Sequence, residues 1–322
     1  MRKLRNGLPM VMVLALGFAA GACGGVATGS EAGGGKLDVV ATTTQIGDFA
    51  RNVGGSAANV HQVLQPNTDP HDYEPRPHDV LATSESKLVF ENGDGLDSWM
   101  KKVVSEAGGG PRVVDLGAAV PDMLPGDEKG PEASRYDPHW WHDPRNAEVA
   151  VKKIRDEMIK AAPKDEKVYR KNAGIYLSKL EKLDSDIRAC MSKVPKNERK
   201  LVTDHDAFGY FTKRYGIRVA GAVIPSQSTL GQPSAKETSQ LVSLIKRERV
   251  KAVFPESSIN PDLARTIARQ TGASSSHTLY GDTLGEKGSS GSTYIKMEAA
   301  NAGAMVEGFT GGKQTCSIPT GR

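Results

Sequence analysis

Seven residues in the middle of the chain, Tyr169, Ala173, Tyr176, Leu180, Leu183, Ile187 and Met191, recur at intervals of 4, 3, 4, 3, 4 and 4. That spacing puts all seven on one face of a single helix. Pro163 opens the segment, a position where proline's missing N–H costs little, and Pro195 lies just beyond its end. About 30 residues at 1.5 Å each make a rod of roughly 45 Å. A rod of that length can run along a whole two-lobed protein.

On either side of it, strands and helices alternate. Before it come strand-like Leu37–Ala41, helical Ile46–Val53, strand-like Val60–Leu64 and helical Asp79–Ser84. Strand-like Lys87–Phe90, helical Leu96–Ala107 and strand-like Arg112–Leu116 follow, and a charged, Pro/Gly-rich loop, Pro121–Glu132, closes this part. Ala147–Ala161 reads as a helix leading to the rod. Beyond the rod the order restarts with Leu201–Thr203, helical Ala207–Tyr215, Ile217–Ala220 and a loop around Pro225. Helical Ala235–Arg249, strand-like Val250–Phe254, helical Asp262–Thr271, strand-like Ser276–Tyr280 and helical Tyr294–Phe309 complete it. Such βαβα order implies parallel sheets covered on both faces. The expected class is α/β, with two lobes bridged by one long helix, and 322 residues accord with roughly two domains.

The N-terminus reads as a targeting segment. Arg2, Lys3 and Arg5 precede an apolar stretch, Leu8–Ala22, that is shorter than the about 20 residues a membrane span needs. It ends Ala20-Gly21-Ala22-Cys23, so residues 1–22 are expected to be a lipoprotein signal peptide and Cys23 the lipidated terminus. Residues 23–36, rich in Gly, Ser and Ala, read as a flexible tether. Removing the leader takes away three of the 42 basic residues and none of the 38 acidic ones, leaving a net charge of +1. With no basic stripe interleaved with aromatics, nucleic acid is not an expected partner. Two further cysteines, Cys190 and Cys316, are a candidate disulfide in an exported chain, two free buried thiols being the other reading. Neither reading makes them zinc ligands.

Four segments offer metal-competent side chains. His71 lies between Pro70 and Pro75, with Asp72 beside it as an expected partner for the ring. His139 and His142 flank Trp140 and Trp141, and the residues alone do not choose between them. His205 stands at the exit of the strand Leu201–Thr203, with Asp204 and Asp206 expected to fix its tautomer. Asp282 competes with Glu256, which follows the strand Val250–Phe254 equally closely. Ligand sites in open α/β sheets form outside the carboxyl ends of strands, which is where these residues fall. Imidazole suits zinc, and carboxylate oxygen widens the range to manganese. His61, His78 and His277 sit inside strands or at a helix start and read as structural.

Enzyme signatures are absent: there is no His-Glu-x-x-His and no Gly-x-Ser-x-Gly. Gly33-Gly34-Gly35-Lys36 fails as a phosphate loop, because Ser30 and Leu37 stand where that motif requires Gly and Ser/Thr, and a strand follows instead of a helix. Four protein ligands would close the coordination sphere, whereas catalytic zinc keeps a position for water. A zinc-dependent hydrolase would have only Glu256 as a nameable base.

Taken in order, Pro70-His71-Asp72-Tyr73-Glu74-Pro75, Asn92-Gly93-Asp94-Gly95-Leu96-Asp97, Asp137-Pro138-His139-Trp140-Trp141, Thr203-Asp204-His205-Asp206-Ala207-Phe208 and Gly281-Asp282-Thr283-Leu284-Gly285 resemble the zinc/manganese solute-binding lipoproteins of bacterial ABC transporters, the cluster A-I or cluster 9 family. The similarity runs from about Leu37 to Thr310. It implies two Rossmann-like (βα)4 lobes, residues 37–162 and 195–322, joined by a rigid helix over 163–194, with the metal in the cleft. The resemblance also implies His71, His139, His205 and Asp282 as ligands, with His142 and Glu256 left as additional or alternative ones. Family members similar to manganese carriers often have a carboxylate where His205 stands, so a three-imidazole set points to Zn2+, with Mn2+ the alternative. Two departures stand out: the stretch Pro121–Arg135 is short and lacks the histidines that zinc carriers often hold there, and His142 is an extra imidazole.

The function so implied is a monomeric extracytoplasmic receptor, lipid-anchored to the outer face of the cell membrane, that delivers zinc to an ABC permease and its ATPase. A metal-binding adhesin or buffering lipoprotein is the rival class. The stiff helix argues against wide hinge closure and for local rearrangement of the His139 segment or the 226–234 loop on metal release.

Overall fold

Four short runs, each containing at least one Val, form the first sheet: β1 (Leu37–Ala41), β2 (Ala58–Gln62), β3 (Leu88–Glu91) and β4 (Arg112–Asp115). The computed structural model describes residues 35–130 and 132–320, so the expected signal peptide, Cys23 and most of the tether lie outside the described residues. The strand order is β2-β1-β3-β4, all parallel, with Val39 opposite both Val60 and Leu88. Side chains alternate across a strand. Val39, Ala41, Leu88 and Phe90 accordingly pack on one face against α1 (Thr44–Gly54), while Val40 and Val89 pack on the other with Met100 and Val103 of α3 (Met100–Ala107). α2 (Pro77–Glu85) joins that second face through Val80.

α4 (Pro144–Ala161) starts where Asp143 accepts a hydrogen bond from the Arg145 N–H and Pro144 takes the first helical position. The long helix is α5 (Glu166–Ser192), 27 residues, preceded by a 3-10 turn at Pro163–Asp165. Tyr169, Ala173, Tyr176, Leu180, Leu183, Ile187 and Met191 are all buried along it, as their spacing requires. Tyr176 donates its hydroxyl to Asp48 of α1 at 2.8 Å. Further along α5, Asp184 accepts two bonds of 2.6 Å from Arg214 of α6 (Gly209–Tyr215). Cys190, near the end of α5, is joined to Cys316 in a disulfide, 126 residues apart in sequence. One helix thus holds elements from both halves of the chain.

The second sheet is built from β5 (Lys200–Thr203) and β6 (Arg218–Ala222), again parallel. The segments expected as strands at 250–254 and 276–280 extend it through single parallel bridges, Thr203 to Phe254, Ala252 to Ser274 and Glu256 to Leu279. Pro255 interrupts the ladder because it has no N–H to donate. α7 (Ala235–Glu248) is capped by a reciprocal Ser234/Glu237 pair, and α8 (Asp262–Thr271) and α9 (Tyr294–Thr310) follow. One apolar cluster contains Phe90 of the first sheet, Leu201 of the second, Leu180 of α5 and Phe309 of α9, so both sheets share one core. Among the described residues no helix is long and apolar enough to cross a membrane.

Candidate metal centre

Four loops, two at each sheet, reach one point. His71 lies between β2 and α2, its backbone N–H bonded to Asp69 at 2.9 Å, and the Trp99 indole holds the preceding Pro70 carbonyl. His139 precedes a 3-10 turn, Trp140–His142; the Asn92 amide holds the Pro138 carbonyl at 3.0 Å, and Asp137 accepts the His139 N–H at 2.9 Å. His205 lies two residues past β5, with its N–H bonded to Glu256 at 3.0 Å and its carbonyl to the Thr203 hydroxyl at 2.6 Å. Asp282 follows the bridge at Leu279; its carbonyl accepts from Gln45 at 2.8 Å and the neighbouring Gly281 carbonyl from the Trp141 indole at 3.2 Å.

One donor atom from each of His71, His139, His205 and Asp282 lies within 4.8 Å of the other three, and all four residues are buried. The imidazole centroids are 5.3 to 5.7 Å apart. Each ring is gripped from behind by a carboxylate on Nδ1: His71 by Glu132 at 2.5 Å, His139 by Asp137 at 2.8 Å, and His205 by Glu256 at 3.0 Å. A neutral imidazole that donates from Nδ1 presents a lone pair at Nε2. Nε2 of His139 and of His205 each lie 3.4 Å from Asp282 Oδ1 and 3.4 Å from one another. His71 Nε2 and both Asp282 carboxylate oxygens are buried and have no hydrogen-bond partner. Buried polar atoms left this way call for a ligand or ion, and this donor set fits a divalent transition metal.

The electrostatics agree. Burial opposes a charge on His139, yet its bond to Asp137 and the nearby carboxylates of Asp137 and Asp282 hold it up at about 9. Burial likewise opposes a charge on His205, but the Asp282 and Glu256 carboxylates raise it well above the ordinary range. Asp282 is pulled well below the carboxylate range, against its own burial, by the charge of His205 and by the closeness of the His139 and His205 rings. The pocket therefore favours positive charge at its centre.

The other residues singled out from the sequence fall elsewhere. His142 is buried outside the donor cluster, its Nδ1 2.8 Å from Glu298 and its ring stacked on Phe208. Glu256 stands behind His205 instead of joining the four donors. The expected ring partners do not reach: Asp72 is exposed, and Asp204 turns away to accept the Glu256 N–H at 2.7 Å. Asp206 offers its backbone N–H to the Ser226 carbonyl, and no bond joins its carboxylate to His205. Asp72 lies in a turn and Asp204 and Asp206 in the bend beyond β5, so adjacency in sequence does not bring their carboxylates to the rings. His61 pairs with Asp79 at 3.2 Å and meets the His78 ring edge to face, while His277 lies 3.7 Å from Glu307. Glu132 was invisible as a partner for His71, being 61 residues away in the histidine-free stretch 121–135. Asp137, two residues before His139, could have been found from the Asp-Pro-His pattern.

The 121–135 stretch also reaches the opposite half. Asp127 accepts bonds from the Gln227 N–H at 2.7 Å and the Ser226 hydroxyl at 2.8 Å, and Glu132 accepts from Ser228 at 2.5 Å. Asp69 accepts from Thr229 at 2.7 Å.

Comparison with known proteins gives a consistent picture. The family described as zinc-uptake complex component A, periplasmic (ZnuA), matches residues 39–308. A manganese-binding lipoprotein of Halalkalibacterium halodurans is 31% identical over 301 residues, 94% of this chain and 97% of the relative. An iron-binding protein of Yersinia pestis is 32% identical over 275 residues, 85% of this chain and 86% of the relative. Among solved structures, the periplasmic zinc-binding protein TroA of Treponema pallidum superimposes with a TM-score of 0.78 at 29% identity, covering 85% of this chain and 99% of that one.

Proposed function

The chain belongs to the zinc-uptake complex component A (ZnuA) family, extracytoplasmic metal-binding receptors of ABC transporters and not enzymes, and from that premise we propose that its cargo is Zn2+. In this reading His71, His139 and His205 ligate through Nε2 and Asp282 through its carboxylate. Glu132, Asp137 and Glu256 fix the three rings with Nδ1 protonated, which raises the basicity of each Nε2. The observation that carries the reading is that three imidazoles, each already held at Nδ1, converge with a carboxylate that has no other partner.

Three nitrogens and one oxygen match zinc's preference for four ligands of this kind. Manganese is the second reading, favoured by the name of the Halalkalibacterium relative and by the two partnerless oxygens of Asp282, which could both bind and so add the hard donor manganese prefers. Competition calorimetry of the two ions against the unaltered chain and His205→Ala separates them. Zinc is expected to bind the unaltered chain more tightly, and the substitution to weaken it at least about tenfold, roughly 1.4 kcal/mol. Unchanged zinc affinity in His205→Ala would sink the ligand assignment, and tighter manganese binding the choice of ion.

The remaining parts of the function follow from the sequence. Cys23 would carry a lipid that tethers a monomer at the outer face of the membrane through residues 23–36, and the metal would pass to a permease driven by its ATPase. Labelling of Cys23 by a fatty-acid analogue, lost in Cys23→Ala, tests the anchor.

A further inference from the structure

His142 and Glu298 are both fully buried, 2.8 Å apart from Nδ1 to Oε1, and neither reaches the donor cluster. A buried ionisable pair is often no more stabilising than apolar residues of the same volume, so its presence calls for a reason other than stability. Its surroundings supply one. His142 closes the turn that carries His139, its backbone N–H bonded to the His139 carbonyl at 3.2 Å. The His142 ring stacks on Phe208, centroids 4.3 Å and planes 28° apart, and Phe208 lies three residues after His205.

Glu298 belongs to α9, the helix that also governs the Asp282 loop. Asn301, nearly one turn on, grips both sides of Tyr280, accepting its N–H and donating to its carbonyl at 2.9 Å each. Tyr294 donates its hydroxyl to the Trp141 carbonyl at 2.6 Å, and the Trp141 indole donates to Gly281 at 3.2 Å. The His139 turn is thereby tied to the two segments that supply His205 and Asp282.

We propose that His142 and Glu298 are positioning residues: their bond locks the Trp140–His142 turn against α9 and so sets the spacing between His139 and the donors His205 and Asp282. This rests on the reading of those residues as metal ligands. Supporting residues must hold ligands within about 0.5 Å for a site to discriminate between ions. Loosening the turn lets the donors spread, which harms zinc, with its short bonds to nitrogen, more than manganese. A pair with a purely structural role would alter the melting temperature and leave the ratio of the two affinities alone.

The test titrates Zn2+ and Mn2+ into the full chain by competition with a chromophoric chelator, with metal-free melting curves alongside. His142→Leu is expected to weaken zinc about tenfold, the lower end of what supporting residues around metal sites contribute, and manganese by less than about threefold. Glu298→Gln, which keeps an acceptor oxygen for the His142 ring, should stay within about threefold of the unaltered chain. Should His142→Leu fail to fold, the double replacement H142L/E298M removes both buried polar groups and carries the same expectation. An unchanged ratio of zinc to manganese affinity in a folded variant would overturn the proposal, as would failure of both variants to fold, which would make the pair structural alone. If the unaltered chain binds no zinc, or His205→Ala binds it equally well, the ligand assignment itself falls, and the positioning proposal with it.

Discussion

His139 Nε2 and His205 Nε2 face each other across 3.4 Å, each on a ring held from behind by a carboxylate. Two acceptor lone pairs at that distance repel unless a cation lies between or beside them. Asp282 adds a full negative charge 3.4 Å from both. The arrangement is unfavourable for an empty, uncharged pocket and favourable for one that takes up a positive charge, whether protons or a metal.

The gripping carboxylates should matter almost as much as the ligands. Glu256→Gln and Asp137→Asn keep shape but remove the charge behind His205 and His139, and each is expected to weaken zinc binding by about tenfold to a hundredfold. Calorimetry on the folded variants decides it. An effect below about twofold would mean that the rings are held by packing alone.

Metal and protons compete for the same nitrogens. With His139 held up at about 9 and His205 also raised, the metal-free site is protonated at neutral pH, and binding must expel protons. Zinc affinity is therefore expected to rise with pH from 6 towards about 9 and then level off. Calorimetry in buffers of different ionisation enthalpy should show net proton release at pH 7. No dependence of the measured enthalpy on buffer would contradict it.

Release should be local. Asp127, Glu132 and Asp69 pin Ser226, Gln227, Ser228 and Thr229 from across the cleft, beside His71. Asp127→Ala removes two of these ties without touching a donor. Chelator-driven zinc loss, followed by stopped flow, should speed up at least about fivefold while equilibrium affinity falls by a similar or smaller factor, since affinity changes in one site appear mostly in the off-rate. An unaltered release rate would move the exit route to the His139 segment.

Arg214 links three helices, with 2.6 Å bonds to Asp184 of α5 and a 3.1 Å contact to Asp143 at the start of α4. Arg214→Ala removes the shortest partner of Asp184 and one partner of Asp143, while Arg145, Arg188 and Tyr215 stay beside Asp184, and should destabilise the fold by about 2 kcal/mol. Burial alone would raise Asp184, but Arg214 depresses it below the usual carboxylate range. A depressed acid stabilises the fold above its unfolded pKa, and that contribution disappears as pH falls through the folded value. The melting-temperature gap between the two proteins should therefore narrow below about pH 4. A constant gap down to pH 2 would show that packing of the Arg214 stem is what was lost.

Much of this was legible in the chain because it is local. The stripe from Tyr169 to Met191 specifies α5, and the βα alternation specifies parallel sheets, since both depend on spacing within one element. His205 was legible as a candidate donor because it stands just past the end of β5; the full set of four came from the resemblance of the five motifs, not from the residues alone. What could not be read was long-range. Nothing in Asp-Pro-His-Trp-Trp-His-Asp-Pro separates His139 from His142; the choice is made by Glu298, 156 residues away, which draws His142 to α9. Glu256 was noticed as a rival ligand, yet only its pairing across the second sheet puts it behind His205. Asp72, Asp204 and Asp206 misled because adjacency in sequence is not adjacency in space: they lie in a turn and a bend that carry their carboxylates away from the rings.

The most direct measurement is a crystal of the zinc-loaded protein with anomalous diffraction collected on both sides of the zinc edge. One strong peak is expected about 2.0–2.1 Å from Nε2 of His71, His139 and His205 and at similar range from an Asp282 oxygen. A peak held by other side chains, or by Nδ1 atoms with the three gripping carboxylates displaced, would contradict the account.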